Sequence, residues 1–245
     1  MDYTRRTVGR LAGNSKWLLA LLLLAGCSSV KDTSQTFQTV VIDPGHGGVD
    51  SGTHSRIGGL EKVNALDVAR RVNEDLQHAG FKTVMTRDSD VYIPLNERAA
   101  ISNQQENAVF VSIHFNDCRN HRIHGVEAYY NSGAGERLAG KIEGNLGQMA
   151  FVRLMKHADF RVLKLNQYPA VLVECGYLSN NAEARLCANP AYRIQIADKI
   201  AAGIIQQRYG EEAARKAVEA AARGNTTAAP APASRSLWNS GSLTN

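Results

Sequence analysis

Two histidines and two glutamates stand where folding could bring them to one point. His46 lies in Asp43-Pro44-Gly45-His46-Gly47-Gly48, a turn directly after the apolar run Thr39-Val40-Val41-Ile42. Glycines on both sides let the backbone pass tightly and leave the imidazole free to face a ligand. His114 closes a second apolar run, Val109 to Ile113. Glu61, fifteen positions after His46, opens an amphipathic segment, and Glu174 follows Leu172-Val173. Each has an ordinary explanation when taken singly. His46 could be a loop residue, and Glu61 a helix-dipole partner worth about 0.3–1 kcal/mol. Glu174 could be half of a sheet-edge salt bridge to Arg153 or Lys62. Taken together, His46, Glu61 and His114 make a His₂Glu set with an open fourth position, a pattern that holds catalytic zinc. Glu174 then reads as the general base beside a Zn2+-activated water, because a carboxylate directly after an apolar strand is costly without a partner or a task.

Positioning those groups requires a sheet whose strands end near one another. Short apolar runs at 39–42, 81–85, 109–113, 125–130, 160–165 and 170–173 read as strands. Between them, helical stripes run over 61–79, 95–105 and 134–149, and from Pro190, behind an Asn189 cap, to about Tyr209. This alternation predicts an α/β fold: a single layered domain with a roughly six-stranded, mostly parallel sheet and helices on both faces. Functional groups in such sheets gather beyond the carboxyl ends of the strands.

The 245-residue chain carries a formal charge of +5. Arg5, Arg6, Arg10 and Lys16, against Asp2, account for much of it, and without residues 1–26 the chain has 24 basic and 22 acidic residues. A nearly neutral body gives no electrostatic footprint for nucleic acid. The basic start, the short apolar run Trp17–Ala25 and Leu24-Ala25-Gly26-Cys27 resemble a bacterial lipoprotein signal, with Cys27 as the lipidated residue. Thr4-Arg5-Arg6 also weakly resembles a twin-arginine signal. The expected divisions are a signal peptide (1–26), a polar tether (27–37), the catalytic domain (38–209) and an Ala/Pro/Ser-rich, largely disordered tail (210–245), in which the Ala- and charge-rich residues 211–223 can extend the last helix and disorder is expected from Gly224 onward. Cys118, Cys175 and Cys187 remain after cleavage, and sequence fixes no pairing among them.

The ordered segments Val41–Gly48 with Asp50-Ser51-Gly52, Leu60-Glu61-Lys62, Val84–Asp88, Leu95–Arg98, Val111–Asn116, Gly125-Val126-Glu127 and Pro169–Asn180 resemble the zinc-dependent N-acetylmuramoyl-L-alanine amidase family of the third amidase type. The resemblance covers about residues 38 to 209. It implies that His46, Glu61 and His114 ligate Zn2+ and that Glu174 is catalytic. It further implies cleavage of the amide between N-acetylmuramic acid and the L-alanine of the stem peptide. Asn116 and Arg153 are the expected substrate-binding residues. Lys164 and Cys175 depart from the family pattern. The stretch from Tyr130 to Phe160 is shorter than in family members with an inserted autoinhibitory helix, so no built-in plug and no activator protein are expected. The protein is expected to be an exported monomer. It would sit on the periplasmic face of a membrane, the outer one in a diderm host, with peptidoglycan as its partner. A wall-tethering module without catalysis and a peptidase acting within the stem are the rival readings. Three weaker signals read as structural. His121 and His124, near Cys118, read as a polar loop, while His54, His78 and His157 read as surface residues. Cys175 must face away from Glu174 in a strand and so packs rather than reacts.

Overall fold

The computed structural model describes residues 30–225. The expected signal peptide, Cys27 and most of the Ala/Pro/Ser-rich tail lie outside the described residues.

In chain order the elements are β1 (Thr39–Pro44), β2 (His54–Ser55), β3 (Gly59–Leu60), α1 (Glu61–His78), β4 (Lys82–Met85), α2 (Leu95–Asn103), β5 (Ala108–Asn116), β6 (Val126–Tyr130), α3 (Gly133–Leu146), β7 (Val152–His157), α4 (Arg161–Lys164), β8 (Ala170–Tyr177), α5 (Asn181–Ala188), α6 (Pro190–Tyr209) and α7 (Glu211–Asn225). Six strands form one sheet in the order β4-β1-β5-β8-β6-β7. All neighbours are parallel except β6 and β8. This is the expected α/β layer. β1, β5 and β8 read as near-continuous apolar runs because helices cover both of their faces. On one face Val68, Val72, Leu138, Ile142, Ile196 and Ile200 from α1, α3 and α6 close over the sheet. On the other, Val162, Leu163 and Tyr168 meet Val41, Phe110 and Leu172.

Three expectations need correction. Residues 160–165 are not a strand. Leu163 and Lys164 N–H groups both bond the Phe160 carbonyl, closing a single helical turn. The apolar residues Phe160, Val162, Leu163 and Leu165 read as a strand, yet adjacent Val162 and Leu163 are both buried, as a helical turn allows and a half-buried strand does not. The sixth strand is instead β7, whose polar, largely exposed edge hides the signal. The segment read as a tether packs against the domain from residue 30 onward: Phe37 and Ser34 are buried, and the Thr33 hydroxyl donates to the Ala108 carbonyl. Beyond the core, α7 is a separate helix after Gly210, with Ala214 buried against the domain. Asn189 caps α6 as expected, accepting from the Ala191 N–H with Pro190 in the first turn.

Candidate active site

β1 delivers His46 through a strained turn. His46 sits at φ 58°, a left-handed conformation that costs a non-glycine residue roughly 1–2 kcal/mol. Two arginines hold the turn from beneath. Arg98 donates to the carbonyls of Pro44 (2.6 Å) and His46 (2.7 Å), and Arg87 to those of Pro44 (3.0 Å) and Gly45 (2.6 Å). Arg98 is anchored in turn by Asp43 at 2.8 Å, and this fully buried carboxylate also accepts from the hydroxyls of Thr86 and Ser112.

His46 Nε2 and His114 Nδ1 both lie 2.9 Å from Glu61 Oε1. One donor atom from each of the three residues falls within 4.8 Å of the others. Glu61 is buried and aimed by two backbone amides, Thr53 N–H to Oε2 at 2.8 Å and Phe115 N–H to Oε1 at 3.1 Å. The far nitrogen of His46, Nδ1, lies 2.9 Å from Asp50 Oδ2. Such a second partner fixes the ring of a metal-ligating histidine. The backbone leaves room for this packing. A Cβ on Gly45 would lie 2.3 Å from the His114 ring, and one on Gly52 would lie 2.5 Å from Glu61 Oε2 and 2.6 Å from His46.

Electrostatics separate the carboxylates. Burial alone would raise the Glu61 carboxyl, but hydrogen bonds and charge from His114 and His46 outweigh it and hold the group well below its usual range. His46 is pulled down by burial, and its bonds to Glu61 and Asp50 overcome this and raise it. Glu174 goes the other way: burial, then repulsion from Glu61 and Glu127, pushes its carboxyl well up. It lies in register with His114 on one side and Glu127 on the other, and its buried Oε2 has no hydrogen-bond partner. A salt bridge does not explain it, since Lys62 pairs with Asp90 and Arg153 with Glu127, both at 2.8 Å.

His46, Glu61, His114, Glu174 and Asn116 line one cavity of about 520 Å³. Arg153 is not among its lining residues. It meets the site only through Glu127, which also accepts from Tyr129, Tyr177 and Asn116. His54 and His121 line an adjoining cavity of about 650 Å³, and His124 packs against Phe151. No other metal-holding group occurs among the described residues. Cys175 is fully buried on the opposite face, its thiol pushed well up by burial, so it is no nucleophile. Sequence reasoning gave no role to Asp43, Arg87, Arg98, Asp50 or Glu127. A charged residue directly after a strand was the available signal for Asp43 and Arg87.

A mixed α/β sheet with three convergent His₂Glu donors and an unpartnered glutamate at its carboxyl edge defines a hydrolase with a site that could hold a metal ion. Residues 40–206 match the Amidase_3 family, N-acetylmuramoyl-L-alanine amidase, and the chain belongs to that family. It is 34% identical to the amidase LytC of Bacillus subtilis, a match covering 69% of this chain but 35% of LytC. It is 30% identical to AmiA of Escherichia coli, covering 69% of this chain and 75% of AmiA. Among solved structures, AmiC2 of Nostoc punctiforme superposes with a TM-score of 0.66 at 38% identity, covering 69% of this chain and 95% of that one.

Proposed function

We propose that this protein is a zinc-dependent N-acetylmuramoyl-L-alanine amidase that releases stem peptides from peptidoglycan during wall remodelling or cell separation. The observation that carries the reading is the convergence of His46, Glu61 and His114 beside a glutamate that has no partner. The donor set fits zinc in type, and Asp50 and the two amides on Glu61 supply the outer support such sites need. A zinc ion held by these three would polarise the scissile carbonyl and bring the pKa of a water to about 7. The protein's own proton carrier is Glu174. Its carboxylate takes a proton from the attacking water and passes it to the leaving nitrogen of L-alanine. The environment that raises its carboxyl suits the acid half of that task. Asn116 borders the same cavity and can orient the substrate amide. Arg153 acts behind it, by holding Glu127.

The finer assignments belong to the same reading. Cys27 carries a lipid, residues 1–26 are removed on export, and the mature protein works as a monomer at the periplasmic face of a membrane. No helix among the described residues is long and apolar enough to cross a membrane. The connection from α3 to β7 is short, so the enzyme should need no activator.

The test is mass spectrometry of products from purified sacculi, with and without a chelator. The amidase leaves stem peptides with free L-alanine amino termini and peptide-free glycan, only when metal is present. Cuts inside the stem would make it a peptidase, and binding without release would make it a tethering module.

A further inference from the structure

The two cavities share His46, Thr53, Glu61 and Asp117, but Glu174 lines only the 520 Å³ one. That asymmetry orients the substrate. The group that protonates the leaving nitrogen must lie next to it, so the peptide arm, which begins at that nitrogen, starts in the cavity with Glu174. The glycan arm is left with the polar neighbour.

The peptide cavity is strongly acidic, with Asp43, Asp50, Glu61, Asp117 and Glu174 in its walls. It contains two guanidinium groups. Arg98 is buried and engages every one of its nitrogens, with Asp43 and with the carbonyls of Ile93, Pro44 and His46. Arg161, at the start of α4, is exposed, and its Nε donates to Asn96 Oδ1 on α2. That bond ties the guanidinium to α2, and among the described residues neither terminal nitrogen has a partner. Beside it stand the exposed rings of Phe160 and Tyr92 and the side chain of Leu95. Phe160 is itself braced on Tyr129, with ring centroids 5.0 Å apart. A guanidinium held through Nε, with both terminal nitrogens free and apolar side chains beside it, can take a carboxylate in bidentate fashion along that remaining edge.

We propose that Arg161 is a specificity residue that reads the α-carboxylate of the stem residue following L-alanine, so that the protein prefers stems in which this group is free over those in which it is a carboxamide. The proposal rests on the amidase reading for the direction of the peptide arm. It makes Arg161 a positioning group for substrate, with no part in the proton transfer.

The experiment uses the zinc-loaded full chain and two tripeptides, L-alanyl-γ-D-glutamyl-L-lysine and the same peptide with the glutamate α-carboxyl as a carboxamide, so that the γ-carboxyl is in an amide bond in both. Binding is measured by calorimetry in the Glu174→Gln background, with Arg161 intact, changed to Gln or changed to Lys. The expected result is a roughly five- to tenfold tighter complex with the carboxylate, an advantage lost in Arg161→Gln and partly kept in Arg161→Lys. Equal affinity for both peptides, or a preference that survives Arg161→Gln, overturns the proposal. Turnover of intact muropeptides by the wild-type residue set is scored separately. Retained discrimination without any amide cleavage would sink the amidase reading and leave the Arg161 site standing.

Discussion

Replacing Gly45 by Ala tests whether the backbone at the end of β1 is shaped around the metal ligands. An added Cβ would lie 2.3 Å from His114 Cε1 and 2.5 Å from its Nε2. Ordinary carbon contacts begin near 3.5 Å, so the ring must retreat by about 1 Å. Ligand distances in zinc sites hold to about 0.2 Å. The displacement is several times that tolerance, and loss of an outer support alone weakens metal binding by about 10–100-fold. Gly45→Ala should therefore weaken zinc by at least about a hundredfold while the remote core keeps its packing. Gly144→Ala in α3, where a Cβ meets nothing within 4 Å, is the control. It should leave zinc affinity alone and raise stability by up to about 1 kcal/mol. Zinc affinity is read by competition with a chromogenic chelator, and folding by thermal melts of the apo proteins. Wild-type zinc affinity in Gly45→Ala would show that the site tolerates a displaced His114 and would refute the reasoning.

Glu174→Gln should retain zinc and fold at least as well as wild type, because it removes a buried carboxylate repelled by Glu61 and Glu127; peptide release from sacculi should drop by at least about a hundredfold. Arg98→Ala should cost about 3–5 kcal/mol in chemical denaturation, since it leaves Asp43 buried without its charge partner. The Asp75 carboxyl is pushed up to about 7 by burial and by the charges of Asp198 and Glu74. Between its unfolded value, about 4, and that folded value, the native state holds a proton the unfolded chain has released, so stability falls as pH rises through this window. Asp75→Asn should thus match wild type near about pH 4 and exceed it by about 1–2 kcal/mol near pH 8, after allowing for partial exposure. Melting temperatures across that range decide it.

The convergence of the candidate site is legible in the sequence because burial and chemistry coincide along the chain. β1, β5 and β8 carry apolar runs buried on both faces, so His114 and Glu174, near the ends of two of those runs, and His46, in the turn after the third, stand out. The periodicity of α1 and the cap of α6 were equally readable. What escaped notice lacked that contrast. β7 is an exposed edge with no clean alternation, and the single turn of α4 is too short to show a helical period. The support around Asp43 and Glu127 is assembled from distant segments: Thr86, Arg98 and Ser112 on one, Asn116, Tyr129, Arg153 and Tyr177 on the other. Such pairings are a property of the folded sheet and have no local signature.

Those pairings decide which carboxylate does what. Glu61, Glu127 and Glu174 sit at the same end of the sheet, and their side chains are chemically identical. Glu61 is ringed by two imidazoles and two amides, so it stays ionised and suits a cation. Glu127 accepts from Tyr129, Tyr177, Arg153 and Asn116, which leaves it little capacity for anything beyond its structural bonds. Glu174 is half-buried, with a buried, unpartnered oxygen and two anionic neighbours. A proton carrier needs a free oxygen and a high-lying proton, and of the three only Glu174 has both. On the proposed mechanism, Glu174 is left for proton transfer because the partners of Glu61 and Glu127 satisfy the other two carboxylates.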